Sequence, residues 1–189
     1  MSIALQSPKA RTAFELRVGT VSDIDTLCEI DFDASELFVR AGLDVELPNE
    51  HEFALAERTR WLCSLSSGGA LLAVDAFAGV LGFAASGTRD GEPYLDQLSV
   101  RRHSMRLGVG TSLLTATESK ARAGGARSLW LTTYRHLSWN RPFYERRGFI
   151  VVPEPELGRE MLAELQYERH WLPAPEERVV MRKELRRSN

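Results

Sequence analysis

Gly108 and Gly110, with Arg101, Arg102 and Arg106 just ahead of them, are the residues of this sequence best suited to hold an anion. Glycine lets a ligand approach the backbone closely, and the free N–H groups of a helix's first turn favour negative charge. The flanking residues supply that setting. Tyr94 to Val100 reads as a strand, and Val109, Leu113, Leu114, Ala116 and Ala121 have roughly the spacing of a half-buried helix. Tyr94, Asp96, Leu98 and Val100 are expected on one face of the strand, because side chains alternate. Diphosphate is the natural guest of such a turn. Taken alone, Gly-x-Gly after a strand equally suits a plain tight turn with solvated arginines.

A second stretch, Thr132 to Phe149, carries Asn140, Phe143-Tyr144-Glu145 and Gly148-Phe149. With the first it resembles the GNAT superfamily of acyl-CoA-dependent N-acetyltransferases, over roughly Phe14 to Leu185. The family's turn pattern (Gln or Arg, two residues, Gly, one residue, Gly or Ala) falls on Met105, Gly108 and Gly110. Met105 stands where a polar side chain is usual, so altered rather than absent cofactor binding is expected. The resemblance implies acetyl-CoA as cosubstrate and no metal. It places the pantetheine amides along Leu98, Ser99 and Val100, as an added strand would lie. The diphosphate then meets the backbone of Arg106, Leu107, Gly108, Val109, Gly110 and Thr111, and Asn140 hydrogen-bonds near the pantetheine arm. Tyr144 occupies the position of the acid that protonates the departing thiolate, a task suited to a phenol with pKa near 10. Phe32, Phe38, Phe53 and Trp61 fall where the family builds its acceptor pocket, although core packing is the commoner explanation for any one of them.

The acceptor must attack as a neutral amine, and an alkyl ammonium is only about one part in a few thousand neutral at pH 7. A carboxylate, directly or through one water, can take the proton. Asp96, on the central strand four residues before Val100, is the first candidate and Glu92 the second; a hairpin or surface carboxylate is the other reading of Asp96. The sequence thus points to an acetyltransferase acting on a primary amine of a small molecule or peptide. The alternatives are a catalytically silent acyl-CoA-binding domain and an ATP-binding α/β protein. The last lacks a Gly-Lys-Ser/Thr phosphate loop.

Composition narrows the field. A net charge of −2 excludes bulk attraction to nucleic acid or a membrane surface. Two cysteines, Cys28 and Cys63, make no disulfide framework, and the four histidines have no metal spacing. No stretch of about 18 apolar residues occurs, and a cytoplasmic monomer or homodimer is expected. The elements needed to position the two motifs follow in order: a polar flexible arm over 1–13, then one acetyltransferase domain over 14–187. Its first strand is Phe14–Val18. Helices over about 24–38 and 50–65 precede strands at 70–77, 80–87 and 94–100, with Asp90-Gly91 as a hairpin turn. A helix ending at Gly124-Gly125, a strand at 128–132, a short helix near 138–147 and strands at 149–152 and 178–185 complete it. The polar insertion 153–175 carries Leu157, Met161, Leu162 and Leu165 at helical spacing. A mixed α/β fold results, a twisted mixed sheet of about seven strands with helices on both faces.

Overall fold

The computed structural model describes residues 14–185; the N-terminal arm and residues 186–187 of the expected domain lie outside the described residues. Seven strands form one open sheet in the order β1-β2-β3-β4-β5-β7-β6. They span Phe14–Val18 (β1), Leu71–Asp75 (β2), Gly79–Arg89 (β3), Glu92–Val100 (β4), Ser128–Tyr134 (β5), Ile150–Val151 (β6) and Arg178–Glu184 (β7). All neighbouring pairs are antiparallel except β4 and β5. The β3–β4 hairpin turns at Asp90 (φ 50°) and Gly91 (φ 76°), the two left-handed positions that a primed turn requires.

Five helices cover the sheet: α1 (Ile24–Arg40), α2 (Glu52–Ser66), α3 (Val109–Ala123), α4 (Arg141–Glu145) and α5 (Arg159–Trp171). A capping box in which Thr20 and Asp23 satisfy each other's backbone N–H groups starts the short turn leading into α1. The helix then buries Ile24, Leu27, Ile30 and Ala34. With α2 it packs on Leu72, Phe83 and Ala85. On the opposite face Leu113 and Leu114 of α3 meet Leu81, Leu95, Leu131 and Met181. The insertion forms α5, whose Met161 and Leu165 cover Tyr94, Trp130 and Val180. The alternation expected in β7 is met, with Val179 and Met181 in one core and Val180 in the other.

One expectation fails. Tyr94 and Asp96 do not share a face with Leu98 and Val100. The register between β3 and β4 shifts between Ala85 and Ser86, which pair with Gln97 and Leu95, so Asp96 is the extra residue of a bulge. A bulge reverses the side-chain alternation beyond it. Leu95, Leu98 and Val100 consequently pack on the α3 side, whereas Tyr94 faces the α5 side and Gln97 and Ser99 reach α1.

Candidate active site

Beyond the bulge the sheet opens. The parallel pairing of β4 with β5 consists of Tyr94 with Trp130 and Leu95 with Leu131. From Asp96 onward β4 stays with β3, while β5 follows β7 through Tyr134. The edge of β4 facing β5 is therefore unpaired over Asp96–Val100. It borders a cleft of about 1590 Å³ that Asp96, Leu98, Ser99, Gly108, Asn140 and Tyr144 all line.

The basic turn ends at this cleft. A 3₁₀ turn over Arg102–Ser104 uses the N–H groups of Ser104 and Met105, and Ser112 donates to Gly108. Among the described residues, no backbone or side-chain acceptor makes a close, well-aligned hydrogen bond with the N–H groups of Arg106, Leu107, Gly108, Val109, Gly110 or Thr111. Six consecutive donors at a helix N-terminus form a site for an anion. Gly108 has φ +91°, and a Cβ added there would meet nothing within 4 Å, so open space faces this backbone. The donors are backbone groups. The Leu107 side chain is exposed and that of Val109 is buried in the core.

The charge around the turn is distributed differently from the sequence expectation. Arg101 donates to the Val80 carbonyl (2.9 Å) and reaches Glu29, and Arg102 is held by Asp33 and Glu36 of α1. Arg106 and Arg146 remain at the cleft, joined by Arg147. The Arg147 guanidinium lies 3.6 Å from the centre of the Phe143 ring and donates to Thr111 Oγ1.

Asn140 caps α4, its carbonyl accepting from the N–H groups of Phe143 and Tyr144. Pro142, lacking an N–H, costs nothing in the first turn. Tyr144 is half-buried between Phe143 and Phe149, with ring centroids 5.1 and 5.6 Å away. Its hydroxyl has no hydrogen-bond partner among the described residues. Burial raises its pKa, so the phenol stays protonated throughout the neutral range.

Asp96 is not a surface carboxylate: its side chain is 3% exposed, with Oδ1 2.9 Å from Arg89 Nη2. Arg89 also binds Glu164 of α5, and Glu164 continues to Arg60 and Glu57 of α2. Burial pushes the Asp96 pKa up to about 6, Arg89 and then Arg60 limiting the rise; burial likewise lifts Glu57 to about 8. Glu92 is displaced from the cleft. It sits at the far end of β4 in the hairpin register opposite Arg89 and accepts from Ser128 Oγ at 3.0 Å. Four residues of strand put it about 13 Å from Asp96, too far to serve the same atom.

Phe32, Phe38, Phe53 and Trp61 all reach the cleft wall, with Phe38 against Tyr134 and Trp139 and with Trp61 packed on Phe83. The sequence reading missed the partners that arrive from distant elements, Arg89, Glu164 and Arg60, and it missed Asp31. Asp31 left a signal: it interrupts the apolar stripe of Leu27, Ala34 and Phe38 on α1.

A family model described as acetyltransferase (GNAT) family matches residues 32–149, more than half of the sequence. The chain belongs to the GNAT family. Solved structures agree in fold. A GNAT-family acetyltransferase from Staphylococcus aureus Mu50 superposes with a TM-score of 0.67 at 16% identity, covering 92% of this chain and 100% of that one. The PaiA N-acetyltransferase from Thermoplasma acidophilum, in complex with coenzyme A, gives 0.64 at 18% identity, with 91% and 99% covered. N-acetylglutamate synthase from Neisseria gonorrhoeae, complexed with coenzyme A and N-acetyl-glutamate, gives 0.65 at 16% identity; 93% of this chain matches 36% of that one, so the GNAT chain spans about a third of the synthase.

Proposed function

We propose that this GNAT protein transfers an acetyl group from acetyl-CoA to a primary amine of a small molecule or peptide by direct attack. The observation that carries the reading is the run of six unpartnered N–H groups from Arg106 to Thr111, adjoining the unpaired edge of β4 in one cleft. The N–H run, with Arg106 and Arg147 nearby, suits the diphosphate. The β4 edge from Leu98 to Val100 suits the amides of pantetheine, and Asn140 lines the same passage. Acetyl-CoA carries a thioester, whose carbonyl an amine can attack with coenzyme A as the leaving thiol.

The chain's own residues handle the protons. Asp96, with a pKa of about 6, is largely ionised at neutral pH yet basic enough to receive a proton from an ammonium, directly or through one water. Arg89 fixes that carboxylate in place and holds its pKa below the value that burial alone would give. As the carbon–sulfur bond breaks, the thiolate takes a proton, and Tyr144, kept neutral by burial, supports the role of donor.

Calorimetry with acetyl-CoA tests the reading. Binding should be 1:1, and Gly108→Glu, which sets a negative charge where the diphosphate would lie, should abolish it. Gly125→Ala controls for backbone strain: Gly125 has φ +84° and equally open surroundings but lies in the α3–β5 turn. Unchanged affinity in a folded Gly108→Glu protein would refute the proposed cofactor site. Binding without thiol release for any amine would leave an acyl-CoA-binding domain.

A further inference from the structure

Asp31 projects from the middle of α1 onto the part of β4 that has lost its parallel partner. Its Oδ1 accepts hydrogen bonds from Ser99 Oγ (2.6 Å) and from Gln97 Nε2, both on β4. Among the described residues, Oδ2 receives no donor and no cation pairs with Asp31. Several other acids of the cleft are ion-paired. Asp96 has Arg89, Glu168 has Arg178, and Arg58 on the same wall is engaged by Asp25 and the Cys28 sulfur. Asp31 is thus a carboxylate whose orientation is fixed on one oxygen and whose charge has no counterpart in the fold. A desolvated carboxylate without a cation is unfavourable, and an arriving cation relieves it.

The surroundings define what that cation carries. Phe32 follows Asp31 on the cleft wall, and Phe38 and Trp139 form an edge-to-face pair at 6.1 Å farther along the same cleft. We propose that Asp31 is the acceptor-binding carboxylate, receiving through Oδ2 the ammonium of a primary amine borne on an apolar, aromatic-compatible body. The inference deepens the acetyltransferase reading and rests on it for the fate of the amine. It also divides labour between two carboxylates: Asp31 captures the ammonium, and the Arg89-bound Asp96 receives the proton. Burial raises the Asp31 pKa against the pull of Ser99 and Gln97, and a bound ammonium favours the ionised form.

The test compares phenethylamine with its neutral counterpart 2-phenylethanol by calorimetry, on the wild-type protein and on Asp31→Asn. Asparagine keeps an oxygen for Ser99 and Gln97 but no charge. The wild type should prefer the amine, and Asp31→Asn should lose about 10- to 100-fold in amine affinity, the scale of a hydrogen bond to a charged group, with alcohol and acetyl-CoA affinities unchanged. Asp31→Glu, which retains the charge, should restore most of the preference. Equal affinity of the wild type for amine and alcohol, or no binding of either, overturns the proposal even if Asp31→Asn fails to fold. So does amine affinity within twofold of wild type in a folded Asp31→Asn. Thiol release reports separately on the acetyltransferase reading. Amine binding that depends on Asp31 without thiol release would sink that reading and leave the site standing. Turnover with an unchanged amine KM in Asp31→Asn would do the reverse.

Discussion

Replacing Tyr144 by Phe isolates one proton. The hydroxyl has no partner among the described residues, so its removal orphans no donor or acceptor. The ring keeps its edge-to-face contacts with Phe143 (interplanar angle 85°) and Phe149 (69°), and α4 keeps its cap at Asn140. Folding stability should therefore change by no more than about 0.5 kcal/mol, the usual range for a substitution that touches no such feature. Acetyl-CoA affinity should also be unchanged, because the diphosphate donors lie on the α3 turn. Turnover is another matter. General acid catalysis contributes about 10²–10⁴-fold, or roughly 3–5 kcal/mol of barrier, and that is the expected fall in kcat. The assay is thiol release under saturating acetyl-CoA, with calorimetric affinity and Tm measured on the same preparation. A pre-activated acyl donor whose leaving group needs no proton should rescue most of the rate. A kcat within twofold of the parent would show that the phenol is not the acid. The motif from Asn140 to Phe149 would then be explained by fold and cofactor binding alone.

Two further outcomes follow from the titrating groups. Because Asp96 must be ionised to receive a proton, kcat/KM for the amine should rise with pH through about 6, and Asp96→Asn should remove that limb while costing least at high pH, where the amine is already neutral; an unaltered pH profile would remove Asp96 from the mechanism. Asp23 is held down to about 2 by its hydrogen bonds with Arg17 and the Thr20 backbone, so it contributes stability that is present above its ordinary 3.8 and lost as pH falls through 2. Asp23→Asn should accordingly lower Tm at pH 6 and not at pH 2, and an equal loss at both would mean that charge is not the cause.

What the sequence revealed and what it hid divide along the range of the interactions. The turn at Gly108, the hairpin at Asp90-Gly91 and the helix at Asn140 are set by neighbouring residues, so spacing alone exposes them. The insertion was legible as a helix for the same reason, since Met161 and Leu165 keep a four-residue step. The bulge at Asp96 leaves no local mark. It exists because Ala85 and Ser86 on another strand pair with Gln97 and Leu95, and an alternating sequence reads identically with or without it. The opening between β4 and β5 is likewise a property of two strands, of which β5 follows β7 instead of β4. Even the arginines at the turn misled, because Asp33 and Glu36, which claim Arg102, lie about seventy residues earlier in the chain.

That bulge also sets the surroundings of Asp96. With strict alternation Asp96 would stay on the face of Leu98 and Val100, against α3, where the packing is apolar. One extra residue keeps Asp96 on the Tyr94 side, within reach of Arg89, and so joins it to Glu164, Arg60 and Glu57. Five charged groups in a row cannot all be ionised cheaply when three are acids and two are bases. Burial is the main reason that Asp96 and Glu57 retain their protons to higher pH; the neighbouring acids add to the rise and the arginines limit it. Two bonds of this chain, Arg89 to Glu164 and Arg60 to Glu164, are made by α5. The insertion thus joins the Asp96 network through electrostatics, and its Glu168 also lines the cleft. Lengthening or trimming it should shift the pH dependence of the amine reaction before it shifts acetyl-CoA binding, whose donors lie on the opposite side of the sheet.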